Sequence, residues 1–294
     1  MPPAPTLASR SESAPATAPR ATLEARVWGA RGSMPASGTR FSRYGGETSS
    51  VEVRAGERTV VIDAGSGAVA MGEALLAEGR RDIDLVLGHL HYDHVVGLPF
   101  FAPLHDAGSR VRIHHAGTSD RAGVEALVGD YFRQPFFPAT LDCFAADVTF
   151  HALPPEGALE WDAGEEALRI ETRPLNHPGG ATGLRLAHGD RSLAYLTDFE
   201  HDGGAGDEAL VALARDADIA LLDATFTPEE YDARCGWGHA HWRAAAELAT
   251  RAGVRRFGLF HHRHDRDDAG MAAIEAELTT DFPNGFVART GQRL

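Results

Sequence analysis

Ile83-Asp84-Leu85-Val86-Leu87-Gly88-His89-Leu90-His91-Tyr92-Asp93-His94 is the stretch on which the fold turns. Its first five residues form a short apolar run bounded by polar positions, which reads as a buried strand. Three imidazoles and a carboxylate then follow within six residues, at His89, His91, Asp93 and His94. If the chain stays extended past Leu87, His89, His91 and Asp93 point to one side, because strand side chains alternate. His94 then needs a turn or a helix start to join them. Neutral imidazole and carboxylate are ligands of borderline divalent metals. A solvated polar loop without metal is the alternative reading.

The 294 residues, 43% of them hydrophobic, are enough to bury a full core in one large domain or two small ones. A net charge of −14 argues against a general nucleic-acid or membrane-surface binder. The two cysteines, Cys143 and Cys235, form no CxxC pair, so reduced thiols and a cytoplasmic location are expected. No run approaches the length of a membrane span, and no secretory apolar core is present at the N-terminus.

Residues 1–22 are rich in Ala, Pro, Ser, Thr and Arg and have little to bury, so they read as a disordered tail. Order is expected from Leu23, where apolar and polar residues begin to alternate. Strands are expected at 50–54, 59–62, 83–87, 110–114, 148–152, 168–172, 183–187, 192–196, 219–222 and 256–260. Gly56-Glu57 reads as a hairpin turn between the first two. Helices are expected at 68–79, closed by Gly79, and at 119–132, 208–217, 240–252 and 268–279. The aromatic stretch Gln134-Pro135-Phe136-Phe137-Pro138 reads equally well as core packing or as a substrate wall. Two strand-rich halves flanked by helices argue for sheet packed on sheet with helices outside.

His89-Leu90-His91-Tyr92-Asp93-His94 resembles the H-x-H-x-D-H signature of the metallo-β-lactamase superfamily. The resemblance covers about residues 24–290 and implies an α/β fold, a four-layer αββα sandwich, making residues 23–294 one hydrolase domain. It also implies a dinuclear metal centre. His89, His91 and His177 would hold one metal, and Asp93, His94 and His261 the second. Asp198 would bridge them, and Asp63 would brace the metal loop by hydrogen bonds. The adjacent pair His261-His262 leaves the identity of the last ligand open. Trp237-Gly238-His239-Ala240-His241 resembles the Gly-His-Ser-Thr segment of the ribonuclease Z branch, as Trp28-Gly29-Ala30-Arg31-Gly32-Ser33-Met34-Pro35 resembles its N-terminal loop. Ala240 and His241 depart from that pattern, and an exposed histidine beside a helix N-cap is the alternative for His239. Asp93 and His239 are the candidate catalytic residues.

The ligand set is nitrogen and oxygen only, which suits two divalent ions, zinc first, with manganese or iron as alternatives. Such a pair lowers the pKa of bound water toward about 7 and makes hydroxide available at neutral pH. The activity expected is a phosphodiesterase acting on a small cyclic nucleotide or nucleotide-like diester, with His239 protonating the leaving oxygen or binding phosphate. A lactone, ester or thioester hydrolase on the same centre is the alternative. A metal-binding regulatory protein without turnover belongs to a different class. Long nucleic acid is not expected as a partner, because docking tRNA needs a basic surface and no Gly/Pro-rich arm separates His94 from His177. The partner expected is a small-molecule substrate, with no membrane; a homodimer is left open.

Overall fold

The structure, a computed structural model, describes residues 22–135 and 137–294. The expected tail therefore lies outside the described residues, apart from Thr22. Six strands form the first sheet: β1 (Leu23–Gly29), β2 (Ser50–Ala55), β3 (Arg58–Ile62), β4 (Asp82–Leu87), β5 (Arg110–His115) and β6 (Asp147–Ala152), in that order. The second sheet contains β7 (Gly157–Asp162), β8 (Ala167–Leu175), β9 (Ala181–His188), β10 (Arg191–Leu196), β11 (Ile219–Asp223), β12 (Arg256–Phe260) and β13 (Gly285–Val287), again in sequence order. Each sheet starts as an antiparallel meander. Parallel pairing then takes over from β3 to β6 and from β10 to β13.

Alternation along the strands builds the layers. Val60, Ile62 and Val86 face Leu184, Leu193, Tyr195 and Phe260 across the gap between the sheets. Val61, Ile83, Leu85 and Leu87 face the other way, onto α1 (Gly67–Ala77) and α3 (Arg121–Tyr131). On the far side, Ala194, Leu196, Leu222 and Leu259 pack under α4 (Ala205–Ala214), α6 (Trp242–Arg251) and α7 (Asp268–Asp281). Strands buried on both faces carry continuous apolar runs, as these do. The result is the expected αββα sandwich.

Local signals account for most element ends. Gly79, at φ 75, closes α1. Its N–H bonds the Leu76 carbonyl and that of Arg80 bonds Leu75, the paired bonds of a Schellman cap. Asp267 caps α7 through the N–H of Gly270. Other ends differ from expectation for identifiable reasons. The helix expected at 208–217 starts at Ala205, because the Asp202 carboxylate collects the N–H groups of Gly204, Gly206 and Asp207. The helix expected at 240–252 starts at Trp242, because the His241 ring caps it by accepting from the N–H of Ala244. The edge strand β7 was not expected, since its alternate residues are exposed and only Leu159 and Trp161 pack on the core. Phe137 of the aromatic loop packs edge-on against Phe132 and Phe100, on the helical side. Cys143 and Cys235 are both free. Among the described residues, no helix is long and apolar enough to cross a membrane.

One buried charge stands out in the first sheet. Asp84 on β4 has no exposed surface and accepts hydrogen bonds from Arg58 Nε (2.6 Å), Arg112 Nε (2.7 Å) and His114 Nε2 (2.8 Å). Burial pushes its pKa up, but the bonds from His114, Arg112 and Arg58 outweigh burial and hold the carboxyl below its ordinary range. The lowered pKa means that its contribution to stability is complete above the unfolded carboxylate value of about 4 and is lost as pH falls below it. Asp84→Asn should therefore cost about 3 kcal/mol at pH 7, read from the denaturant midpoint. The gap from wild type should narrow below pH of about 4. Equal midpoints at pH 7 would show that the cluster contributes nothing.

Candidate metal centre

The chain does not stay extended after β4. His91 takes an extended conformation as the N-cap of a one-turn helix, α2 (Tyr92–Val95), so Asp93 and His94 come from a helix rather than a strand face. The expected single-sided strand is thus corrected. The turn brings His94 to the cluster.

Four further strand ends deliver the remaining groups. Asp63 follows β3, His177 lies two residues beyond β8, Asp198 two beyond β10, and His261 directly follows β12. Asp63, Asp198 and His261 have φ of 59, 64 and 56, in the left-handed region. Asp and His tolerate it better than most residues, and such strain is typical of functional sites. At these three ends the left-handed turn falls at the residue that joins the donor cluster or, for Asp63, braces it.

Two groups of donors result. His89, His91 and His177 present ring nitrogens within 4.8 Å of one another, and Asp93, His94 and His261 form a second such group. Asp198 lies between them. Its Oδ1 is 3.7 Å from His89 Nε2, 3.8 Å from His177 Nε2 and 3.3 Å from His261 Nε2, while its Oδ2 is 3.1 Å from His94 Nε2. The adjacent-histidine ambiguity is resolved in position: His261 Nε2 is 2.9 Å from Asp93 Oδ2, whereas His262 turns away and donates to the Ala288 carbonyl.

Neighbouring groups set the ring orientations. Asp63 accepts from the N–H of Gly88 (2.7 Å), from His94 Nδ1 (2.7 Å) and from the Tyr195 hydroxyl (2.7 Å). His94 Nε2 is left facing the cluster. His177 Nδ1 donates to the Gly238 carbonyl, leaving its Nε2 as the inward donor. Gly238 has φ 83, and a Cβ there would lie 2.5 Å from His177 Nδ1, so only glycine fits. Thr225 Oγ1 accepts from His261 Nδ1 at 2.9 Å. The N–H of Ser33 donates to Asp93 (2.7 Å). Buried Arg31 fixes that N-terminal loop by donating to the carbonyls of Gly45, Arg263 and Arg266.

The donors fit divalent cations. His89 Nε2 and His94 Nε2 are buried without a hydrogen-bond partner among the described residues. Burial lowers the pKa of His89, His91 and His177, so these rings are neutral and able to ligate. Burial also opposes charge on His94 and His261, but the carboxylates outweigh it. Asp198, Asp93 and Asp63 raise His94 well above its ordinary value, and Asp198 and Asp93 raise His261 to about 9. Carboxylates buried this deeply require positive charge, which protons supply here and metal ions can supply instead.

His239 is not the helix cap, a place taken by His241. Its Nδ1 is 2.8 Å from Asp223 Oδ2, and its ring stacks on His261 at 4.8 Å. Asp223 also accepts from the N–H groups of Asp198, Thr225 and Ala240. Sequence reasoning missed Asp223, the buried carboxylate that ends β11. It also missed Glu200, which accepts from the N–H groups of Gly236 and Gly238 and from the Tyr231 hydroxyl, and so shapes the loop that presents His239.

Residues 58–262 match the model of the family described as the beta-lactamase superfamily domain. The chain is 38% identical over 89 residues to ribonuclease Z of Gemmatimonas aurantiaca, covering 30% of this chain and 27% of that one. It is 28% identical over 247 residues to ribonuclease Z of Haloferax volcanii, covering 71% of this chain and 77% of the relative. The human short-form tRNase Z shares the fold at a TM-score of 0.64 and 17% identity, over 92% of this chain and 98% of that one. A metal-dependent hydrolase of the phosphoric-diester kind agrees with these relatives. The expectation that long nucleic acid is an unlikely partner does not, since the named relatives are ribonucleases; total charge was the wrong quantity to judge by. The matched segment spans most of the sandwich and the whole candidate centre from Asp63 to His261, and the chain belongs to the beta-lactamase superfamily.

Proposed function

We propose that this chain is a phosphoric diester hydrolase dependent on two divalent metal ions. The observation that carries the reading is Asp198, placed between two groups of donors with the His239–Asp223 pair beside it. In this reading His89, His91 and His177 would hold one ion and Asp93, His94 and His261 the other, with the Asp198 carboxylate available to either. Zinc suits these donors, as do manganese and iron. When bound, the ions supply hydroxide at neutral pH and stabilise charge on the phosphoryl oxygens.

The protein's own groups do the rest. Asp223 accepts the Nδ1–H of His239 and so orients the ring, leaving Nε2 to carry or release a proton. A proton carried on Nε2 can then pass to a departing oxygen. Met34, Tyr92 and Trp237 are more than half exposed and adjoin Ser33, Asp93 and Gly238. The exposed aromatic rings of Tyr92 and Trp237 offer stacking surfaces to bases. This supports a nucleotide-like diester, with a small cyclic nucleotide as the first substrate to test. An RNA diester is the second reading, favoured by the ribonuclease Z relatives. Strong turnover of a lactone with weak activity on every diester would instead establish the lactone hydrolase alternative.

Two measurements test the proposal. Elemental analysis should find close to two transition metals per chain, and His91→Ala should reduce this to about one and abolish most activity. Less than half an equivalent in carefully loaded protein would overturn the dinuclear reading. His239→Ala should slow a diester with a poor alkoxide leaving group by ~10²–10⁴-fold while metal content holds. A p-nitrophenyl diester, whose leaving group departs unprotonated, should be much less impaired. Equal slowing of both would assign His239 to phosphate binding or structure.

A further inference from the structure

We propose that the cavity beside the first donor group seats the nucleobase of the substrate, and that His115 reads it by accepting a hydrogen bond at Nε2; this rests on the phosphodiesterase reading above. The cavity, of about 520 Å³, opens on His89 and His91. Its walls are largely apolar, with Leu90, Ala116, Leu127, Pro155 and Pro174 contributing. A concave apolar chamber with a few placed polar atoms is the usual form of a small-molecule site.

His115, the last residue of β5, is one of those polar groups and is only 6% exposed. Its Nδ1 is 2.9 Å from the Leu87 carbonyl, which can only accept, so Nδ1 carries the hydrogen. A neutral imidazole then leaves a lone pair on Nε2. Burial lowers the pKa of the ring, in keeping with the neutral form. Nε2 has no hydrogen-bond partner among the described residues. It stays uncovered because residue 117 is glycine: a Cβ there would lie 2.3 Å from Nε2. A buried acceptor in an apolar chamber selects a flat apolar group that carries an N–H donor, and a nucleobase is such a group. Adenine, with its exocyclic amine, serves as the probe. His239 adjoins His177 and His261, whereas the cavity adjoins His89 and His91. The base and the leaving group therefore occupy different sides of the cluster.

His115→Asn is the informative variant. The Asn amide can still donate to the Leu87 carbonyl and brace the end of β4, but nothing replaces Nε2. Calorimetry on the metal-loaded protein should show adenosine 5′-monophosphate binding about tenfold more weakly to the variant. Ribose 5-phosphate, which lacks the base, should bind both proteins equally. KM for adenosine 5′-(p-nitrophenyl) phosphate should rise by a similar factor, with KM for methyl p-nitrophenyl phosphate, kcat and metal content unchanged. Gly117→Ala, whose Cβ would crowd Nε2 at 2.3 Å and displace the ring, should also weaken adenosine 5′-monophosphate binding. The proposal is overturned if wild type fails to bind adenosine 5′-monophosphate, if the variant binds it equally well, or if ribose 5-phosphate loses affinity in parallel. If wild type turns over neither ester, the phosphodiesterase reading falls, and calorimetry still decides whether His115 reads a base.

Discussion

The carboxylate of Asp63 is the constraint on which the centre depends. It is buried at the end of β3 in a left-handed backbone conformation, and its oxygens take three bonds from three directions. The N–H of Gly88 ties it to the end of β4, and His94 Nδ1 ties it to the one-turn helix. The Tyr195 hydroxyl ties it to β10 of the opposite sheet. The two sheets are therefore joined not only by apolar packing but by a polar contact at the site itself. Without that carboxylate the His94 ring would lose its anchor, Tyr195 would hold a buried hydroxyl with one partner fewer, and the turn after β4 would lose its support. Each of these losses costs free energy in a dry interior.

The second organising fact is a shortage of positive charge. Asp93, Asp198 and Asp223 lie almost fully buried in two groups of donors that share His261. Like charges this close cannot all persist without counter-charge. Protons on His94 and His261 meet the need here, and divalent cations could meet it instead. Asp223 is held differently: three backbone N–H groups and His239 satisfy it, which leaves it an orienting carboxylate rather than a ligand in the proposed arrangement.

Much of this was legible in the residues, and the reasons differ. The layers followed from two strand-rich halves flanked by helices, since sheets with apolar faces must be covered. The cluster at 89–94 was legible because its ligands are close in sequence. His177, Asp198 and His261 were reached through family resemblance, since each lies far from the others along the chain and only the sheet order brings them together. A turn or helix start was expected for His94, but Asp93 was placed on a strand face because four residues carry too little periodicity to fix where the helix begins. Asp223 and Glu200 were missed because their work is to accept backbone N–H groups, which no side-chain pattern announces. The choice between His261 and His262 depended on the left-handed turn at 261, which points one ring into the site and sends the next toward Ala288.

The error over nucleic acid has a physical lesson. A net charge of −14 describes the field far from the molecule, whereas association depends on the field at the docking face. Much of the acidic excess here is internal: Asp63, Asp84, Asp93, Asp198 and Asp223 are all buried and count toward the sum without facing an approaching ligand. Metal ions bound among them would offset that charge locally. A total of −14 therefore does not fix the sign of the field at the candidate centre.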